Sequence, residues 1–141
     1  MIVVNLPVRD LLASADFYRG LGLAVDEDFC EEEAVGVALA PTVVVMLLSL
    51  RRFGEFVGVA DLGARPPTPA LTSLAARSRA QVDELADRAL LHGGTPRSFV
   101  AQGPMYGRSF ADPDGHVWEV IHVPVPCGPE PADDAGGSHV R

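Results

Sequence analysis

Apolar and polar positions along this chain fall into the same order of elements twice. IVVNL (2–6) is a short apolar run of the kind a buried strand shows. Asp10 then precedes Leu11, Ala15, Tyr18 and Leu21, which recur along one helical face, and its carboxylate can cap that helix. Gly20 and Gly22 in RGLGL end it. LAVDEDF (23–29), AVGVALA (34–40) and TVVVMLLSL (42–50) predict three strands, with the acidic run DEDFCEEE (26–33) at a solvated hairpin end. After the Gly- and Pro-rich segment 51–69 the order returns. ALTSLAA (70–76) predicts a strand, and Ser78 with Gln81 forms an S-x-x-Q capping box. The helix it opens carries Val82, Leu85, Ala86 and Ala89 on one face and ends at His92-Gly93-Gly94. RSFVA (97–101), YGRSFA (106–111) and HVWEVIHV (116–123) predict three further strands. The turn Asp112-Pro113-Asp114-Gly115 joins the last two.

Strand–helix–strand–strand–strand therefore occurs twice, which predicts an α+β domain of two βαβββ modules. Module one covers 1–50, a linker 51–69 and module two 70–123. The remainder, 124–141, is rich in Pro, Gly and acid without periodicity and is expected to be a flexible tail. Residues 34–50 carry no charge over 17 positions, close to the length of a short membrane span. Pro41-Thr42 and the β-branched Val43-Val44-Val45 argue for two buried strands instead.

Composition narrows the chemistry. With 141 residues, 48% of them apolar, the chain has room for one globular domain with a sizeable core. The net charge is −8, and all eleven basic residues are arginines. The absence of lysine excludes a Schiff base and a P-loop, and the scattered arginines offer no stripe for a phosphate backbone. No nucleic acid and no membrane partner is expected. Cys30 and Cys127 stand in no metal-type or disulfide spacing, and Cys30 lies in an acidic run that disfavours a reactive thiolate. MIVVNLPVRD has no export signal, so a cytoplasmic protein is expected.

The repeated module, the helix sequence LLASADFYRGLG and the closing F-x-DPDGH-x-x-E strand together resemble the vicinal oxygen chelate superfamily. That group includes glyoxalase I, bleomycin-resistance proteins, fosfomycin-resistance enzymes and extradiol dioxygenases. The resemblance covers 1–123. It implies paired curved mixed sheets enclosing a cavity, helices outside, and a homodimer. Metal-binding members place ligands on the first, fourth, fifth and eighth strands, where a strand alignment puts Asn5, Leu47, Leu71 and Glu119. Only Glu119 is a strong donor, so the resemblance implies a member with no metal and no cofactor. The glutamate's face is implied to look into the cavity with Val117 and Ile121, leaving Trp118 beneath the helices, and Glu119 is expected to be at least partly buried. Ser49 and Ser73 share the parity of Leu47 and Leu71. Gly107 and Ser109 share the cavity parity of their own strand, and Ser109 matches a position that reaches substrate in fosfomycin-type relatives. A bulge near Gly107 would bring Arg108 to the same face. His116, just after the turn, is expected to be exposed.

Three functions compete. The first is a metal-free protein that binds a small, largely apolar molecule between its modules, as in drug sequestration, where an acidic cavity suits a cationic drug. The second is a lyase or isomerase of the glyoxalase type with Glu119 as proton shuttle. The third is a non-catalytic scaffold whose cavity is filled by side chains.

Overall fold

The structure, a computed structural model, describes residues 1–58 and 70–124, with 27–31 by their backbone. The first module runs β1 (Ile2–Val8), α1 (Leu11–Gly20), β2 (Ala24–Glu31), β3 (Ala34–Ala40) and β4 (Val43–Ser49). The second runs β5 (Leu71–Ala75), α3 (Arg79–Leu91), β6 (Thr95–Gln102), β7 (Met105–Ala111) and β8 (Val117–His122), with α2 (Leu50–Val57) between the modules. Each module is a four-stranded mixed sheet, ordered β1-β4-β3-β2 and β5-β8-β7-β6. In each, the first strand pairs in parallel with the last, and the other pairings are antiparallel. The uncharged stretch 34–50 is the β3–β4 hairpin and the start of α2. No helix among the described residues is long and apolar enough to cross a membrane.

The two principal helices begin where their capping residues stand. Asp10 Oδ1 accepts from the Ala13 N–H at 3.0 Å, and Ser78 Oγ accepts from the Gln81 N–H at 3.1 Å. The Gln81 amide oxygen turns back to the N–H of Arg77 at 2.7 Å. Part of the segment read as a linker is α2. Ser49 caps it by accepting from the Arg52 N–H, and Gly58, at φ 70°, ends it in the left-handed region. Arg51 ties this helix to the β2–β3 turn through Glu33, and that hydrogen bond holds the Glu33 carboxyl below its usual range. Residues 59–69, and the tail from 125 on, lie outside the described residues.

One face of each sheet meets the helices, and one core joins the two modules. Leu6, Leu47 and Val35 stand side by side on that face of sheet one, as do Phe110, Trp118 and Thr72 on sheet two. Phe17 and Tyr18 of α1 reach across to the second module. Tyr18 meets Trp118 edge-on with ring centroids 5.7 Å apart, and Phe17 meets Phe110 at 6.3 Å. All four rings are buried. Trp118 thus packs beneath the helices, as its strand parity predicts.

The Asp112-Pro113-Asp114-Gly115 turn fastens the modules. Asp112 is buried; its Oδ2 accepts from the Tyr18 hydroxyl at 2.6 Å, and its Oδ1 from the N–H groups of Asp114 and His116. Asp114 accepts from the Arg9 N–H and the Ser14 hydroxyl. His116 is half-buried rather than exposed, because its Nε2 reaches the Pro7 carbonyl of β1 at 2.7 Å. Gly115 closes the turn at φ 90°, a conformation side chains disfavour.

Candidate functional site

The face of sheet two away from the helices holds an open hollow of about 470 Å³, lined by Ala70, Leu71, Arg97, Ser98, Ser109, Val117 and Glu119. Register explains the set. Ser73 and Ser109 are the direct neighbours of Glu119 on either side, and Leu71 lies beside Val117. Glu119 is half-buried and accepts a 2.7 Å hydrogen bond from the Ser73 hydroxyl on Oε2. Ser109 is engaged with β6: its Oγ accepts from the Ser98 N–H at 2.9 Å and lies 2.7 Å from the Ser98 hydroxyl. Leu71 is 57% exposed, so the floor of the hollow is apolar and uncovered.

The other predicted residues lie elsewhere. Leu47 is fully buried in the core, beside Leu6 and Val35 on the helix side. Met46, one residue earlier, is the one that stands next to Asn5 on the open face of sheet one. A one-residue slip along a strand reverses the face, and the strand alignment is off by that one residue here. Ser49 shares the helix-side parity of Leu47 and is spent on capping α2 and on a 3.1 Å bond to Glu33. Arg108 also points to the helices. β7 pairs regularly through Gly107, so nothing reverses it, and Arg108 instead meets Asp83 at 3.1 Å and Asp87 at 2.8 Å on α3. Burial works against the Arg108 charge, but those two carboxylates outweigh it and raise its pKa. Gly107 sits buried on the open face beside Ile121 and Val100, at the far end from the hollow. Asn5 is exposed on the open face of sheet one.

Two lining residues carried no sequence signal as site residues, Arg97 and Ser98. On β6, Pro96 pairs with Phe110 and Phe99 with Arg108, so both Arg97 and Ser98 stand against the single residue Ser109. This bulge aims both at the hollow.

The two modules match position by position. Asn5 and Ser73 each precede their helix cap by five residues, and Val3 and Leu71 by seven. By pairing with Asn5 and Ser73, Met46 and Glu119 are counterparts. The four matched positions on the first, fourth, fifth and eighth strands are therefore Val3, Met46, Leu71 and Glu119. One carboxylate, one thioether and two hydrocarbons do not fit a Zn²⁺ or Ni²⁺ ion, which needs three or four N, O or S donors. Among the described residues no three His, Cys, Asp or Glu side chains converge.

A family model of the Glyoxalase/Bleomycin resistance protein/Dioxygenase superfamily matches residues 2–120. The chain is similar in structure to a glyoxalase-related enzyme from Fulvimarina pelagi, with 31% identity, a TM-score of 0.76 and 91% of each chain covered. It is also similar to a glyoxalase/bleomycin resistance protein/dioxygenase family enzyme from Burkholderia phytofirmans PsJN, at 19% identity and TM-score 0.75, covering 86% of this chain and 96% of that one. A lactoylglutathione lyase from Agrobacterium tumefaciens matches at 20% identity and TM-score 0.64, with 86% and 92% covered. No curated protein sequence matches the chain.

Proposed function

This chain belongs to the glyoxalase/bleomycin resistance protein/dioxygenase superfamily, and from that premise we propose that it is a metal-free member that binds a small, largely apolar molecule. The molecule lies against the open face of sheet two with Glu119 as its polar anchor. The observation that carries this reading is the hollow itself: an uncovered apolar floor, Leu71 and Val117, beside one half-buried carboxylate. Such a site retains a ligand by apolar contact and orients it by a single charged hydrogen bond. Sequestration of a drug or metabolite is the corresponding role. The working form is a homodimer. Val3 and Leu71, matched residues on the two open faces, are 47% and 57% exposed, and a second copy would cover both.

A lyase or isomerase reading has one observation in its favour. Among the described residues only Ser73 bonds Glu119, and it does so on Oε2, which leaves Oε1 free to receive a proton from a bound molecule.

The test is a thermal-shift screen of the purified protein against small apolar amines and alcohols, with elemental analysis of the same sample. Under the binding reading, a ligand at 100 times its Kd adds about 2.7 kcal/mol of stability. Glu119→Gln removes that gain, and chelators change nothing. Stoichiometric Zn, Ni, Mn or Fe in the sample would refute the metal-free reading. Retained binding with lost turnover in Glu119→Gln would favour the lyase.

A further inference from the structure

The β6 bulge places a guanidinium beside the hollow, and no described residue forms an ion pair with it. Arg97 is exposed, lines the hollow together with Ser98 and Ser109, and makes no ion pair with a described residue. By contrast, Arg108 on the adjacent strand β7 is committed to α3 through Asp83 and Asp87. With regular pairing only one of Arg97 and Ser98 would face this side. The inserted residue delivers both.

Glu119 lies on β8 and Arg97 on β6, with β7 between them. Two strand spacings separate their backbones by about 10 Å. That span accommodates a hydrogen bond at each end, about 3 Å apiece, with an ammonium and a carboxylate a few bonds apart between them. Ser109 of β7 stands between the two charged groups, and Leu71 and Val117 line the hollow on the β5–β8 side. The hollow thus offers one anion, one cation and an apolar floor.

We propose that the ligand is amphoteric: its cationic group docks on Glu119, its anionic group on Arg97 beside the Ser98 and Ser109 hydroxyls, and its apolar part on Leu71 and Val117. This rests on the ligand-binding reading of the hollow and narrows it to a chemical class.

Three probes sharing a phenylethyl unit separate the contributions: 2-phenylethylamine, 3-phenylpropanoate and phenylalanine, each titrated calorimetrically into the full-length protein. Phenylalanine is expected to bind at least tenfold more tightly than either single-charge probe. Arg97→Gln should reduce phenylalanine to the affinity of 2-phenylethylamine and leave 2-phenylethylamine itself unchanged. Glu119→Gln should reduce phenylalanine to the affinity of 3-phenylpropanoate. If 2-phenylethylamine binds through Glu119 but the carboxylate adds nothing, or Arg97→Gln leaves phenylalanine unaffected, the amphoteric assignment is overturned while the hollow stands as a ligand site. If none of the three binds, both fall together.

Discussion

At Asp112, three donors converge on one buried carboxylate: two backbone N–H groups of its own turn and the hydroxyl of Tyr18. Tyr18 accepts in turn from the Trp118 indole N–H at 3.1 Å, so the phenol relays between ring and carboxylate. Burial, and then the Asp112 charge, push the Tyr18 pKa well above its ordinary value. Asp112→Ala leaves all three donors without an acceptor, and a loss of about 3 kcal/mol is expected in urea unfolding. Burial is also the largest influence on Asp112 itself, raising its pKa against the opposing hydrogen bonds. The native state therefore holds this proton more tightly than the unfolded chain does. The contribution of Asp112 to stability is greatest at acid pH and falls as pH rises from about 4 toward the raised native value, then stays flat. Wild type should gain on Asp112→Asn as pH is lowered through that window, and a difference that shrinks there would contradict the assignment. The turn is legible as D-P-D-G. Its bond to a tyrosine 94 residues away is not, because no local pattern encodes it.

Elements were legible wherever local chemistry marks them. Asp10 and Ser78 announce α1 and α3 because a cap satisfies its own helix. β3 lies at 34–40, where its apolar run predicts it. The face of β4 was not legible, since Val43–Leu48 is apolar throughout and offers no alternation to say that Met46 rather than Leu47 meets the open side. The β6 bulge left no trace either; an extra residue shows itself only in the partner strand's register. α2 was hidden by Gly54 in its middle and by the glycines and prolines that follow, although its Ser49 cap is an ordinary one. Ser49→Ala removes that cap and should cost about 1 kcal/mol, with faster hydrogen exchange confined to 50–57. Equal protection in both proteins would mean that packing against β1 and β4 alone holds the helix.

Across the whole molecule, the repeat of element order carried the architecture, because a module that cannot close its own core needs a second one. The site was legible where it rests on Glu119, its strand neighbours Ser73 and Ser109, and the apolar Leu71 and Val117. On the proposed dimer, light scattering should report twice the chain mass, with Leu71→Glu returning the protein to monomer. A monomeric wild type would remove the reason for the exposed Val3, and would leave Leu71 as the floor of the hollow alone. The fastening of α1 by the Asp112 turn also has a consequence during synthesis. Tyr18 leaves the ribosome 94 residues before its partner, an interval of about 5–20 s at ordinary elongation rates. Until β7 and β8 emerge, Phe17 and Tyr18 lack the rings of Phe110 and Trp118, so the first module passes through a window in which its aromatic face is open to chaperones and to neighbouring nascent chains.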